Sequence, residues 1–351
     1  MRGADGLSRL EGMRVLLAGG AGYIGAHTAV ALLDAGHEVV LLDDLSGTHA
    51  AAAERVERIT GRPAPLVVGD ASDDAVVEDV FDQHGPFEAV IHFAAFKAVG
   101  ESTQKPLDYY ANNLGTTFAL LRVGLAHGIR SFVFSSTGTV YSDPADLPFT
   151  ETSTTSVDLS NPYSKSKRMN EVVLEDVARV NPDLNVTVLR YFNPVGAHSS
   201  GLIGEDPAGI PNNLMPFVSR VAIGALDRIG VFGDDYDTPD GTGLRDYIHV
   251  VDLAEGHVAA LEKASPGHVV YNLGTGVPVS VRELITAFEK AVGRELPQQT
   301  LPRRPGDVAA TYCDPAKAAV DLGWRTRLGI DDACRDYWHW QQQNPAGYAG
   351  A

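Results

Sequence analysis

A short apolar run, Val15-Leu16-Leu17, leads into Gly19-Gly20-Ala21-Gly22-Tyr23-Ile24-Gly25, and the stretch Tyr23–Ala35 then has helical spacing. Glycines at every third position between a strand and a helix constrain the fold more than any other feature. Gly19 permits a tight turn, Gly22 bares the backbone, and Gly25 lets the helix pack closely on the strand. Such a loop presents unpaired N–H groups at a helix N-terminus, where a pyrophosphate can sit. A glycine-rich turn alone is often only structural. Here the next apolar run, Val39–Leu42, ends in Asp43-Asp44, at the distance where an acid meets the ribose hydroxyls of an adenosine. A carboxylate there repels an extra ribose phosphate, so the expected dinucleotide is NAD rather than NADP.

The rest of the first half repeats the alternation. Apolar runs at Leu66–Val68, Ala89–Ile91, Phe132–Phe134 and Val186–Tyr191 suit strands buried on both faces of a parallel sheet. Between them, Ala75–His84, Asn112–His127 and Tyr163 to about Val180 have helical spacing, and Ala50–Ala53 is good helix material. This pattern predicts an α/β fold, a Rossmann-type doubly wound parallel sheet. Beyond Asn193, glycine and proline become frequent, with helices expected at Leu214–Leu226, Val251–Lys263, Val281–Val292 and Asp331–Gln342. The expected division is a dinucleotide-binding domain over 1–192 and a smaller α/β substrate lobe over 193–351, with some segments returning to the first sheet.

Composition narrows the function classes. Lys+Arg total 28 against 45 Asp+Glu, a formal charge of −17, which disfavours binding to nucleic acid or an anionic membrane. No apolar stretch of about 18 residues is present, and Met1–Gly12 lacks the apolar core of a signal peptide. Cys313 and Cys334 show no metal or redox spacing, and the 11 histidines form no close helical pair, so no metal site is expected. A reduced, cytoplasmic setting follows as the expectation.

The chemistry centres on Asn161-Pro162-Tyr163-Ser164-Lys165-Ser166-Lys167. Tyr163 and Lys167 stand at i and i+4, on one helix face. Without context such a pair is more often a tyrosine packed on its neighbour. As a functional pair, the ammonium would favour phenolate and lower the tyrosine pKa, making a general base. The strand Phe132–Phe134 runs into Ser135-Ser136-Thr137, placing hydroxyls at a strand's carboxyl end, where ligands sit in open α/β sheets.

Together these residues resemble the extended short-chain dehydrogenase/reductase superfamily. Within it the chain, from about Met13 to Tyr348, resembles the UDP-galactose 4-epimerase family. The likeness rests on the glycine loop and on four longer motifs: His92–Ser102, Arg190–Ala197, Gly209–Pro216 (Gly-Ile-Pro-Asn-Asn-Leu-Met-Pro) and Asp240–His249. Arg303-Arg304-Pro305-Gly306-Asp307 completes it. The resemblance implies reversible inversion at C4 of a UDP-hexose through a transient 4-keto sugar, with NAD kept bound, in a homodimer. The dimer contact would use helices Lys105–His127 and Tyr163–Arg179. Tyr163 would take the proton from the 4-hydroxyl, Lys167 would stabilise the phenolate and touch the nicotinamide ribose, and Thr137 would hydrogen-bond the 4-oxygen. Cofactor contacts would fall on Gly19, Gly22, Tyr23, Ile24, Gly25, Asp43, Asp44, Asp70, Ala71, Phe93, Lys97, Asn112, Tyr163, Lys167 and Phe192. Substrate contacts would fall on Thr137, Asn193, Asn213, Leu214, Phe232, Arg245, Arg304, Asp307 and Thr311. Arg245 and Arg304 could neutralise a pyrophosphate with planar, forked donors.

The chain departs from the family pattern at several positions. Thr137 replaces a common serine, Asp44 a common asparagine, Gly138 a usual alanine and Ala18 a usual threonine; little functional change is expected from the last two. Thr311 stands where hexose-specific members resemble one another in having tyrosine, which implies room for UDP-N-acetylhexosamines. A 4,6-dehydratase would need an acid beside Thr137, and Gly138-Thr139 supplies none. A UDP-pentose 4-epimerase and a non-catalytic NAD-binding sensor are the alternatives. The intact set Thr137, Tyr163 and Lys167 argues against the sensor.

Overall fold

The computed structural model describes residues 12–207, 209, 211, 213–304 and 306–350. Residues 1–11, which carry most of the N-terminal reading, and Ile210, Asn212 and Pro305 of the motifs lie outside the described residues. The first half alternates as the pattern predicts. Strands β1 (Arg14–Ala18), β2 (Glu38–Asp43), β3 (Leu66–Val68), β4 (Ala89–His92), β5 (Ser131–Thr137) and β6 (Asn185–Tyr191) are separated by helices. These are α1 (Tyr23–Asp34), α2 (Ala51–Thr60), α3 (Asp74–His84), the short α4 (Val99–Ser102), α5 (Pro106–Ala126) and α6 (Pro162–Val180).

The second half contributes short strands: β7 (Asn193–Val195), β8 (Ile229–Phe232), β9 (Leu244–Arg245), β10 (Tyr247–His249), β11 (Gly267–Leu273), β12 (Val279–Ser280), β13 (Gln298–Leu301) and β14 (Ala310–Thr311). Its helices are α7 (Leu214–Ala222), α8 (Val250–Glu262), α9 (Val281–Val292), α10 (Ala316–Asp321) and α11 (Ile330–Gln343). No helix among the described residues is long and apolar enough to cross a membrane.

Seven strands form one parallel sheet in the order β11-β6-β5-β4-β1-β2-β3. The chain leaves β1 in one direction through β2 and β3, then returns to β4 on the other side. That reversal opens a crevice at the carboxyl ends of β1 and β4, the usual ligand position in such sheets. Both faces are covered, which is why the strands are apolar runs rather than alternating ones. Val15, Leu17, Leu41, Ile91 and Val133 face one core with α1, α2 and α8, and Leu16, Val40, Val90, Phe132 and Val186 face another with α3, α5 and α6. The returning segment is β11, which pairs with β6 at the edge of the large sheet. The first core continues into the later residues through Met215, Phe288, Tyr337 and Trp340.

Helix α5 begins at Pro106, ahead of the helical spacing at Asn112 and next to the Lys105 start expected for the dimer helix, because proline at its first position has a φ already suited to a helix and no N–H to satisfy. Helix α7 stops at Ala222 rather than Leu226, since Gly224 takes φ +78°. Helix α6 begins where Asn161-Pro162 suggests: the Asn161 side chain accepts from Ser164 N at 2.9 Å and Pro162 occupies the first turn. That cap places Tyr163 in the first turn, facing the end of β5.

Candidate active site

The glycine loop packs against backbone with no room for side chains. Gly19 has φ +79°, and a Cβ there would lie 2.6 Å from Ala94 N; one on Gly25 would lie 2.3 Å from the Gly19 carbonyl. Gly22 precedes α1 with no side-chain cap, and α1 has no acid in its first turn. Its leading N–H groups are therefore left for an external anion, which fits a pyrophosphate. Tyr23 donates its hydroxyl to Gly196 O at 2.6 Å, and burial pushes its pKa well up, with Glu205 adding to the effect.

The two acids after β2 divide their work. Asp43 is nearly buried and accepts from Ala21 N (3.0 Å), Leu45 N (3.1 Å) and Thr48 Oγ1 (2.6 Å). Burial raises its pKa and those hydrogen bonds oppose the rise. Asp44 is exposed and accepts from Ser46 N at 2.9 Å. Asp70 is exposed beside buried Ala71, past the end of β3, while Phe93 and Lys97 follow β4. Ile24 is half-buried in α1, and Asn112 sits on α5 with its amide on Asn113 Oδ1 at 2.9 Å.

At the next strand end, Thr137, Tyr163 and Lys167 come together. Thr137 is the last residue of β5, and its Oγ1 accepts from Thr139 N at 3.2 Å. The Thr139 hydroxyl in turn receives Ser164 Oγ at 2.8 Å. Lys167 is buried, donates to Ser135 O at 2.7 Å and lies 4.9 Å over the Phe134 ring. Burial pulls its pKa down to about 7, against the attraction of Glu171. Tyr163 differs from expectation. Burial pushes its pKa up to about 12, and the lowering group is the Thr137 hydroxyl rather than the Lys167 ammonium. The lysine is desolvated and committed to a carbonyl, so among the protein's own groups burial outweighs the ammonium.

The later residues gather in smaller sets. Asn193 lies in β7, directly opposite Tyr247 of β10. Arg245 pairs in register with Thr311, and its Nη2 reaches Asp307 Oδ1 at 2.6 Å while Nη1 donates to Leu244 O at 2.8 Å. Its fork is thus engaged within the protein. The Arg304 guanidinium lies 4.0 Å over the Phe232 ring. Asn213, preceding half-buried Leu214, donates to Glu205 Oε1 at 2.8 Å, and Lys97 Nζ stands 3.8 Å from the same oxygen. Phe192 stacks at 6.5 Å on Tyr141 and Phe149, and a Cβ on Gly138 would lie 2.6 Å from its ring. The ring fills the space that an alanine methyl would take.

Sequence reasoning missed Glu171, Ser136 and Arg190 as a buried polar set, and Glu205 between Lys97 and Asn213. The signal for the first was available: Glu171 continues the Tyr163–Lys167 spacing by one more turn. Two residues read as structural are so. His92 is buried with Nε2 2.9 Å from Thr117 Oγ1, its pKa held well below normal by burial, and His249 caps α8 through Val251 N at 3.1 Å. Cys313 and Cys334 are buried free thiols whose pKa burial raises.

Comparison with known proteins agrees with this geometry. Residues 15–274 match the NAD dependent epimerase/dehydratase family. A UDP-glucose 4-epimerase of Bacillus subtilis is 52% identical over 341 residues, covering 97% of this chain and 100% of the relative. The structure of UDP-glucose 4-epimerase from Bifidobacterium longum in complex with NAD+ and UDP is 51% identical, with a TM-score of 0.92 over 95% of this chain and 99% of that one. That from Stenotrophomonas maltophila, with bound NAD and formylated UDP-arabinopyranose, is 45% identical with a TM-score of 0.91, covering 95% and 99%. With the glycine loop at the sheet's reversal and a Tyr-x-x-x-Lys helix at the end of β5, the chain belongs to the UDP-glucose 4-epimerase family.

Proposed function

We propose that the protein inverts C4 of UDP-galactose and UDP-glucose reversibly, through a 4-keto sugar, with NAD held throughout. One observation carries this reading: Tyr163, Lys167 and Thr137 converge at the carboxyl end of β5, beside the bare loop at the sheet's reversal. Bound NAD supplies the hydride acceptor at C4 and returns the hydride, so net redox is zero. Tyr163 takes the 4-hydroxyl proton and gives it back, with Thr137 steering the oxygen between them. Lys167 balances the developing phenolate charge and orients the ribose.

The cradle for the cofactor is Gly19, Gly22 and Gly25 with the first turn of α1, and Asp43, Asp44, Asp70, Ala71, Phe93, Lys97, Asn112 and Phe192 complete the contacts. Asn193, Asn213, Leu214, Phe232, Arg245, Arg304, Asp307 and Thr311 hold the UDP-sugar. For the diphosphate to reach Arg245, Asp307 must share or release its guanidinium. The division at residue 192 separates the two tasks, with β11 returned to the cofactor sheet.

Two further features belong to this reading. Leu107 and Phe118 are exposed on one face of α5, about three turns apart, and Val172 and Val180 are exposed on α6. These apolar side chains support a homodimer through α5 and α6; a gel-filtration mass near the chain's 37.4 kDa would contradict it. A cytoplasmic setting fits the two unpaired thiols. The test of the catalytic assignment is Tyr163→Phe. The expected result is normal folding and NAD content with kcat reduced about 10²–10⁴-fold. Turnover equal to wild type would refute the role of Tyr163.

A further inference from the structure

Three consecutive residues at the end of β5 are each met by α6. The Thr137 hydroxyl acts on Tyr163, the Ser135 carbonyl accepts from Lys167 Nζ at 2.7 Å, and Ser136 Oγ donates to Glu171 Oε1 at 2.5 Å. Tyr163, Lys167 and Glu171 are spaced i, i+4 and i+8, so one helix face supplies all three. Glu171 is among the most buried charged groups in the protein, with its side chain 1% exposed. Its carboxylate also receives Arg190 Nε at 2.9 Å and Nη2 at 2.8 Å, with Arg168 Nη1 at 3.2 Å.

Arg190 stands on β6 directly opposite Ser136 in register. Its guanidinium lies 5.0 Å over the Tyr141 ring and donates to the Tyr141 hydroxyl at 3.2 Å. That hydroxyl donates to Asn272 Oδ1, on β11, at 2.5 Å. One carboxylate thus ties α6 to β5 and β6, and through Tyr141 to β11.

We propose that Glu171 is a positioning residue for the reaction: it sets the register of Tyr163 and Lys167 on β5 and supplies the negative charge that Lys167 faces. The inference rests on the reading of Tyr163 and Lys167 as the reacting pair. Burying an ion pair costs enough desolvation that apolar residues would serve stability as well, so stability alone does not account for it. What the pair adds is direction, since Oε1 is held from β5 by Ser136 and from β6 by Arg190, while Oε2 is held by Arg190 and by Arg168 of the same helix.

The charge has a second consequence. The groups facing Lys167 are Glu171 on α6, His92 on β4, whose pKa burial holds well below normal, and the Ser135 carbonyl and Phe134 ring on β5. Arg168 and Arg190 lie beyond Glu171, bound to it. Glu171 is the group that draws the lysine's pKa upward against burial. Without it, Lys167 loses its proton at lower pH, and the phenolate loses its counter-charge with it.

The test measures kcat and KM from about pH 6 to 9 for wild type, Glu171→Gln, Glu171→Asp, Ser136→Ala and Tyr163→Phe, each with its own bound NAD. Circular dichroism checks the fold of each. For Glu171→Gln the expected result is a kcat about 10- to 100-fold lower, with KM within about twofold. The alkaline limb of its kcat profile moves to lower pH, whereas Glu171→Asp keeps the wild-type limb. Ser136→Ala, which removes one hydrogen bond and no charge, lowers kcat without moving the limb. A folded Glu171→Gln with the wild-type profile overturns the proposal. Should Glu171→Gln fail to fold, wild-type kcat in Ser136→Ala, or a displaced limb in Glu171→Asp, overturns it instead. Wild-type turnover by Tyr163→Phe would overturn the underlying site reading, a separate outcome.

Discussion

At the scale of single residues, Lys167 and Thr311 carry the most specific expectations. Lys167 has a pKa near 7 because burial opposes its charge, so its protonation changes across the working range. Thr311 is half-buried in β14, paired in register with Arg245. The expected outcome is measurable turnover of UDP-N-acetylgalactosamine by wild type, at least about tenfold lower in Thr311→Tyr, with UDP-galactose turnover retained. Chromatography of the C4 epimers reads both, and no wild-type turnover of the acetylated sugar would contradict the roomy site. The placement of Gly19 and Asp43 at strand ends was legible because it follows from their spacing after the apolar runs. The raised pKa of Tyr163 was not, because the desolvation that dominates it comes from residues distant in sequence.

Among elements, α6 matters most, since it delivers Tyr163, Lys167 and Glu171 to one strand end. Its start depends on the Asn161 cap and Pro162. Asn161→Ala removes the bond to Ser164 N, a loss of about 1 kcal/mol of stability by the usual worth of a cap. Because the freed turn carries Tyr163, kcat is expected to fall about tenfold while KM changes little, as displacement of a reacting group does. A thermal melt and steady-state kinetics on the same sample check both; a lower melting temperature with unchanged kcat would contradict the coupling. The helical spacing from Tyr163 to about Val180 made this helix legible. It did not expose the Glu171–Arg190 pair, because an acid on a helix normally faces water and only the packing of α6 on β5 and β6 buries this one.

For the whole molecule, β1 to β6 of the parallel sheet were legible because they read as apolar runs, whereas the edge strand β11, half-buried over its first four residues, was not named. The small sheets of the second half were not legible: β9, β12 and β14 are two residues long and leave no periodic signal. Burial also sets the molecule's response to acid. His27 and His257 are held neutral, their pKa values lowered from 6.5 to about 3 and about 4 by burial, and His92 is lowered as well. The unfolded chain therefore binds more protons than the native one below pH 6.5, and stability falls as pH falls from there toward 3. Asp43, raised by burial, works in the opposite sense but is one group against five histidines, since burial lowers His198 and His268 as well. The melting temperature is expected to drop steadily between about pH 6.5 and 4.5; a flat profile there would contradict the account.

The most direct test of the central claim follows the hydrogen on C4. UDP-galactose carrying deuterium at C4 is incubated with the purified protein and no added cofactor, and the UDP-glucose formed is analysed by mass spectrometry and NMR. The account predicts conversion with the deuterium retained at C4, because the hydride that leaves returns to the same carbon. Loss of the label to water, or no conversion even when NAD is supplied, would contradict it.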